Sequence, residues 1–176
     1  MLLGEIRDKE TAQIAIEASL TGHLVLSTLH TNDAPSAVTR LIEMDIEPFL
    51  VGSALDCVVA QRLARRLCDK CKEPQDISSA ELLALGFPDR VLDATQPFFR
   101  PVGCTACSGT GYRGRLALHE VMAVSEQIER LAVARASSAE IGRVAESEGM
   151  ITLRQDGWAK VRAGLTSLDE VLRVVA

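Results

Sequence analysis

The sequence predicts an α/β fold: a parallel sheet, then a small cysteine-rich insert and a helical C-terminal region. Three observations predict it. At the beginning of the chain, apolar strand-like runs alternate with helical stretches, as in βαβ units. Four of the five cysteines form two CxxC pairs within a stretch rich in proline and glycine. From about residue 125 onward, the apolar residues recur with helical spacing.

Composition limits the classes of function. The chain has 176 residues, 47% of them hydrophobic, which is enough for a buried core built mainly from aliphatic side chains. Its net charge of −5 argues against nucleic acid as a partner, because such binding needs a basic surface. No apolar run approaches the ~20 residues that span a bilayer, and no secretory signal opens the sequence. We therefore expect a cytoplasmic protein without a transmembrane segment.

The first elements are two strands and two helices in alternation. Residues 1–6 and 24–29 are apolar enough for buried strands, and residues 8–20 have the pattern of a helix between them. A second helix is expected to begin near Asp33, whose side chain can cap it, and to run to about residue 44. Ligands of parallel sheets bind at the carboxyl ends of the strands, where the polar residues 5–8 and 27–33 would meet.

The remaining elements follow from the same reasoning. A short helix is expected to begin at Pro48, and residues 55–67 favour a strand. Residues 68–115 are expected to form a turn-rich insert with one helix near 79–85. The insert contains prolines at 74, 88, 97 and 101. The run "LALHEVMAV" predicts a return strand. Helices are expected at about 128–134, 138–147, 152–163 and 168–174. The predicted domains are thus 1–67, 68–115 and 116–176.

Glu5 and His30 are the candidate catalytic residues. A carboxylate at the tip of an apolar strand can reach Mg²⁺ or polarise a water for attack on phosphate. The imidazole of His30 can donate to a phosphate oxygen at physiological pH. The alternatives are a surface Glu–Arg pair at Glu5 and an ordinary surface histidine at His30. His23 lies at the opposite end of its strand, so we expect it to have a structural role near the Gly22 turn.

The cysteines predict a metal site. Two CxxC turns can complete a tetrahedral site of four thiolates, and nearby lysines and arginines can offset its charge. The 32 residues between the pairs exceed the usual zinc-ribbon spacing, yet the prolines fit a loop that metal holds in place. A redox pair and free thiols are the alternatives. Cys57 is interpreted as a small core residue. The expected ligands are Cys68, Cys71, Cys104 and Cys107.

Arginines in the stretch "QRLARRL" allow two interpretations. They can form a solvated basic face beside the cysteines, or one of them can point at a bound nucleotide. Arg62 is the candidate for the second role.

These motifs together resemble a known family. "GEIRD" resembles the Walker B box, and "TGHLVLSTLHTNDA" the histidine box, of the ATPases of type II secretion and type IV pilus assembly. "AQRLARRLCDKC" and "GCTACSGTGYRGRLALHEV" resemble their tetracysteine metal module. Pilus retraction ATPases generally lack that module, so the resemblance favours an assembly or secretion motor. It covers essentially the whole chain, with the motifs in the family's order.

The resemblance implies a set of roles. Glu5 would be the Walker B glutamate, His30 would lie near the γ-phosphate and Arg62 near the nucleotide. The four cysteines would hold structural zinc, and ATP and Mg²⁺ would be the further cofactors of the intact protein. The fold would be a partial RecA-like sheet. The intact protein would be a hexamer at the bacterial inner membrane, working with a membrane platform protein and a membrane-linked cytoplasmic adaptor.

One departure from the family pattern is clear. The phosphate-binding loop G-x-x-x-x-G-K-[ST] is absent from the printed sequence, as is the aspartate box. In the family both precede the Walker B strand, so we expect this chain to be the C-terminal part of a larger ATPase and to hydrolyse ATP poorly by itself. Two other classes remain open: a non-catalytic, zinc-stabilised interaction module and a thiol oxidoreductase with a low-pKa cysteine.

Overall fold

The computed structural model describes residues 1–87 and 97–175. Its helices are α1 (Lys9–Leu20), α2 (Pro35–Glu43), α3 (Pro48–Ala54), α4 (Ser79–Ala84), α5 (Glu126–Val133), α6 (Ser138–Ser147), α7 (Leu153–Arg162) and α8 (Leu168–Val174). Its strands are β1 (Cys57–Leu67), β2 (Glu73–Gln75), β3 (Phe98–Arg100) and β4 (Tyr112–Ala123). The predicted helices are therefore confirmed, and so are the strands expected at 55–67 and 116–124. Pro88, one of the four prolines of the insert, lies outside the described residues.

The chain divides into two compact units. The first contains residues 1–60 and 120–152, and the second contains the described residues of 61–119 and 153–176. Strand β1 pairs with β4, and β2 pairs antiparallel with β3. The domain boundaries predicted from the sequence stay a prediction.

Two extended segments run parallel in the first unit. The amide of Leu3 donates to the carbonyl of Leu26 at 2.9 Å, and that of Ile6 donates to Thr28, also at 2.9 Å. The parallel arrangement of these segments is confirmed, but their ladder is reduced to the single bridge between Leu2 and Leu26. A more extensive parallel sheet is absent from residues 1–87 and 97–175.

The prediction that residues 1–6 and 24–29 form buried strands is wrong for Leu2, which is 80% exposed, and for two leucines of the second segment. Leu24 is 71% exposed and Leu26 is 56% exposed. The physical reason is that a strand of a parallel sheet is buried by neighbours on both faces and edges, and no further strand of the described chain pairs with this segment. A cavity of about 430 Å³ opens beside it, and the cavity's other wall includes Ala54 and Val58.

The core of the first unit is aliphatic. Side chains of α2, α5 and α6 meet Met122 of β4 there, and the core includes Val38, Ile128 and Ile141. Cys57 is not part of it: this cysteine is exposed at the start of β1, so its interpretation as a core residue is wrong. The reason is the alternation along β1, whose odd-numbered positions from 57 to 63 face solvent.

The second unit has its own core, built around Trp158 of α7. Its ring packs against that of Phe87 with centroids 4.5 Å apart. Helix α7 also covers one edge of β4, since Asp156 accepts from the amide of His119 at 2.8 Å and Lys160 donates to the carbonyl of Ala117 at 2.7 Å. Side chains thus satisfy backbone groups that an edge strand would otherwise expose. No helix of the described chain is long and apolar enough to cross a bilayer.

Candidate functional site

Glu5 lies where the first extended segment ends, and it touches the side chains of Arg7 and His30. Its Oε2 atom is 2.7 Å from Nη2 of Arg7, and its Oε1 atom contacts Nε2 of His30. The side chain of Glu5 is 23% exposed, whereas that of His30 is 84% exposed. The structure therefore brings together the two residues that the sequence singled out, at an edge that a ligand can reach.

Electrostatics keep this carboxylate ionised. The hydrogen bond from Arg7 is the main cause that lowers the pKa of Glu5 below its usual value, and the charges of Arg7 and His30 act in the same direction against partial burial. An ionised carboxylate can accept a proton from water or bind a hard cation. The pair with Arg7 also matches the alternative of a surface Glu–Arg pair, so the geometry alone allows both interpretations.

The loop that carries His30 is tied at its ends. The hydroxyl of Thr28 donates to the carbonyl of Gly4 at 2.8 Å, next to the parallel bridge. At the other end, the side chain of Asp33 accepts from the amide of Ser36 at 2.8 Å, which confirms Asp33 as a cap of the following helix. His23 lies in the turn after α1, with Nδ1 3.1 Å from the hydroxyl of Thr21, as its structural interpretation predicted.

Sequence reasoning missed one residue of this region. Glu120 is only 4% exposed, and its Oε1 atom accepts from the amide of Ala34 at 2.7 Å. A signal for it was present in the sequence, since Leu118, Glu120 and Met122 alternate on one face of β4 and the two apolar members are buried. A carboxylate on the inward face of a strand needs a buried partner.

The arginines of β1 lie in the second unit, whereas Glu5 and His30 belong to the first. Arg65 is bound to Glu170, and Arg66 pairs with Asp69 at 3.2 Å. The half-buried Arg62 has its Nη1 atom 3.5 Å from the carbonyl of Gln61. Its role near a nucleotide stays a prediction.

The four paired cysteines come together in the second unit. All their Sγ atoms lie within 4.8 Å of one another. The separations are 3.9 Å for Cys68–Cys104, 3.8 Å for Cys71–Cys107 and 3.8 Å for Cys104–Cys107. A tetrahedral metal with bonds of about 2.3 Å to sulfur requires sulfur atoms about 3.8 Å apart. The four cysteines can therefore hold a metal ion of that geometry.

Backbone groups around the cysteines are arranged for thiolates. The amides of Cys104 and Gly111 both donate to Sγ of Cys107 at 3.2 Å. Burial raises the pKa of Cys107, but these donors and the neighbouring thiols outweigh it and bring the value to about 6. Burial raises the pKa of Cys71 to about 12. Because burial disfavours the charged form of these thiols, a full set of four thiolates needs a bound cation to form.

Two glycines allow this turn geometry. Gly103 (φ +113°) and Gly111 (φ +75°) adopt backbone conformations that other residues rarely take. A Cβ atom on Gly103 would lie 2.5 Å from the carbonyl oxygen of Gly109, and one on Gly111 would lie 2.4 Å from Cβ of Pro101. The glycines that mark the insert in the sequence therefore permit the close approach of its backbone segments.

Comparison with known proteins decides the family. Residues 1–173 match the family model described as type II/IV secretion system protein. The chain belongs to this family. Among relatives of this secretion-family chain, the type IV pilus assembly ATPase PilB of Thermus thermophilus is 48% identical over 172 residues. The type II secretion system protein E of Aeromonas hydrophila is 49% identical over 174 residues.

The secretion-family chain spans only part of these relatives. The match to PilB covers 98% of this chain and 19% of PilB, and the match to protein E covers 99% of this chain and 34% of that protein. Solved structures share the mixed α/β fold of this chain. The pilus retraction motor PilT with bound ADP matches with a TM-score of 0.64 at 20% identity, over 98% of this chain and 38% of PilT. The ATPase DotB of Legionella pneumophila matches with a TM-score of 0.63 at 18% identity, over 98% of this chain and 37% of DotB.

Proposed function

We propose that this chain is the C-terminal part of an ATPase that powers the assembly of pili or pseudopili in type IV pilus or type II secretion systems. The observation that carries the proposal is the contact between Glu5 and His30 at the ends of two parallel segments. Relatives described as pilus assembly ATPases are 48% identical over nearly the whole chain, which supports it.

In this proposal Glu5 is the Walker B glutamate. Its carboxylate, held ionised beside Arg7, orients the attacking water and takes up its proton. His30 donates from its imidazole to an oxygen of the γ-phosphate, and Arg62 is the candidate for a further contact with the nucleotide. Mg²⁺, when bound with ATP, supplies positive charge that neutralises the phosphates.

The cysteine cluster is proposed to hold a structural Zn²⁺ ion. Four thiolates in tetrahedral geometry are a ligand set that zinc prefers. They leave no open coordination position, so the site is structural and not catalytic. We propose the functional division 1–67 for the RecA-like ATPase core, 68–115 for the metal module and 116–176 for the C-terminal subdomain.

The assembly state and location are part of the same proposal. The intact protein is proposed to form a hexamer on the cytoplasmic side of the inner membrane. It would act there with a membrane platform protein and a membrane-linked cytoplasmic adaptor. No nucleic acid is proposed as a partner, because the net charge of the chain is −5.

The alternative is a non-catalytic, zinc-stabilised interaction module of the same machinery. The observation that favours it is the cluster of four cysteines, whose Sγ atoms lie within 4.8 Å of one another and can hold a metal ion without any nucleotide. Such a module would bind metal and protein but no nucleotide.

A chimeric protein separates the two candidates. These 176 residues replace their 49% identical counterpart in the Aeromonas hydrophila type II secretion system protein E, and Mg²⁺-dependent ATP hydrolysis is measured. The unaltered relative is the control for the assay. If the proposed ATPase function is right, the chimera retains ATP hydrolysis. A chimera that folds and binds zinc but hydrolyses no ATP contradicts the proposal and favours the interaction module.

A further inference from the structure

Glu120 is a buried carboxylate to which no sequence motif assigned a role, although it lies within the stretch "GCTACSGTGYRGRLALHEV". It lies on the inward face of β4 two positions before Met122, which is fully buried in the core of the first unit. Burying a carboxylate costs free energy unless hydrogen bonds compensate for the lost water. Its burial therefore indicates that the carboxylate satisfies a particular buried donor.

That donor is the amide of Ala34, 2.7 Å from Oε1 of Glu120. Ala34 immediately precedes α2 and has no polar side chain with which to cap it. The first amides of a helix lack partners within the helix. Asp33 accepts from the amide of Ser36, so two carboxylates, one local and one from β4, hold the start of α2.

His30 lies on the short stretch between this helix start and the parallel segments. The amide of Ile6 donates to the carbonyl of Thr28 at 2.9 Å, which holds one end of the stretch. The tie between Glu120 and Ala34 holds the other end. Only residues 30–33 lie between residues 24–29 and Ala34, so a shift at Ala34 would displace the backbone that carries His30.

We propose that Glu120 is a positioning residue: its bond to the Ala34 amide holds the loop so that His30 stays in contact with Glu5. Its effect on ATP hydrolysis rests on the proposed function, but its effect on the loop does not. The geometry is therefore tested on the 176-residue chain without nucleotide.

The test uses Glu120→Asp, Glu120→Gln and a matched control, Met122→Ala. Aspartate keeps the charge but is shorter by one carbon–carbon bond, about 1.5 Å, so its oxygen no longer reaches Ala34. Glutamine keeps the length and an acceptor oxygen. Met122→Ala removes a buried side chain from the same face of β4, which destabilises the same core. It keeps the hydrogen bond between Glu120 and the Ala34 amide.

Two NMR readouts are compared. The first is hydrogen exchange of the Ala34 amide relative to that of Ile16, a buried residue of α1 that reports general unfolding. The second is the change in the His30 imidazole resonances when Glu5→Gln is added, which reports the contact between the two side chains. A merely structural role of Glu120 would not move the second readout.

We expect Glu120→Asp to raise the relative exchange of Ala34 by at least about tenfold and to abolish the response of His30 to Glu5→Gln. Glu120→Gln and Met122→Ala are expected to preserve both. The proposal is overturned if Glu120→Asp leaves either readout as in the unaltered chain, or if Met122→Ala changes both equally. If Glu120→Asp does not fold, Glu120→Gln decides alone, since loss of either readout there contradicts the proposal.

The functional consequence is measured in the chimeric ATPase described above. Glu120→Asp is expected to lower kcat for ATP hydrolysis with little change in KM, because His30 acts on the reacting phosphate. If the unaltered chimera hydrolyses no ATP, the proposed function fails, while the exchange experiment still decides the role of Glu120.

Discussion

Arg65 and Glu170 form a two-pronged ion pair although they lie 105 positions apart in the sequence. Nε and Nη2 of Arg65 donate to Oε2 of Glu170 at 2.9 and 2.6 Å, and the amide of Arg65 donates to Oε1 at 2.8 Å. Arg173 donates to both oxygens from the same helix. The guanidinium of Arg65 also stacks on Tyr112, 4.1 Å from the ring centroid. Glu170 thus joins α8 to β1 within the second unit.

Replacing Glu170 with glutamine should destabilise the second unit. Glu170 is fully buried, but the side chains of Arg65 and Arg173 are about half exposed and regain water when the charge is lost. We therefore expect a loss of about 1–3 kcal/mol, below the usual cost of breaking a fully buried pair. Urea unfolding measures it. The matched control is Glu126→Gln, which breaks an exposed ion pair with Arg130. We expect it to change the free energy of unfolding by no more than about 0.5 kcal/mol. Equal effects of the two substitutions would contradict this account.

The contribution of Glu170 should also depend on pH. Burial raises the pKa of Glu170, but hydrogen bonds from Arg173 and Arg65 outweigh it and bring the value to about 2. Because this folded-state pKa lies below the unfolded value of about 4.3, the stabilisation is present above pH ~4.3 and lost as pH falls toward 2. The difference in unfolding free energy between the unaltered chain and Glu170→Gln should shrink over that range. A difference that stays constant down to the lowest pH at which the chain folds would contradict it.

Helices were the most predictable part of the fold, because their signals are local. The Ser137–Glu140 capping box fixes the start of α6, and Asp8 caps α1. Burial was less predictable, because it depends on which segments become neighbours. Leu24 has the apolar character of a core strand, and its exposure follows from the lack of a further paired strand among the described residues.

The cap at Asp8 gives a separate prediction for the first unit. Its carboxylate accepts from the amide of Thr11 at 2.8 Å, and this bond is the main cause that lowers the pKa of Asp8. Asp8→Ala should destabilise the first unit, whereas Asp8→Asn, which also caps helices well, should destabilise it far less. Thermal or urea unfolding of the two variants measures the difference. If both cost the same, capping is not the role of Asp8.

Metal content tests the cysteine cluster. Chain purified without chelators should contain about one equivalent of zinc, and removing the zinc should lower Tm by at least about 5 °C. Cys104→Ser is expected to lose the metal, because three thiolates and a hydroxyl bind zinc poorly. Cys57→Ser, an exposed cysteine outside the cluster, should keep it. Elemental analysis decides, and full zinc content in Cys104→Ser would contradict the assignment.

The candidate site was predictable only in part, and the reason is the distance along the chain between its members. Glu5 and His30 were found because each ends an apolar run, which places both at the same end of parallel segments. Glu120 was not found, because its partner Ala34 is 86 positions away and contributes only a backbone amide. The alternation of Leu118, Glu120 and Met122 indicates that Glu120 faces inward, but it does not identify Ala34 as the partner.

The purified 176-residue chain by itself should show no appreciable Mg²⁺-dependent ATP hydrolysis. The printed sequence supplies no phosphate-binding loop, so the carboxylate of Glu5 has no positioned phosphate on which to direct water. A phosphate-release assay with and without Mg²⁺ measures it. A magnesium-dependent rate clearly above background would show that the chain binds ATP in another way.

Single-turnover ATP hydrolysis in the chimera with Glu5→Gln tests the central claim most directly. Glutamine fills the same space but cannot accept a proton, so hydrolysis should fall by about 10²-fold or more while nucleotide binding persists. The matched control, Glu126→Gln on the exposed face of α5, should hydrolyse at the unaltered rate. If Glu5→Gln also hydrolyses ATP at the unaltered rate, Glu5 is only a surface partner of Arg7, and the proposed active site is wrong.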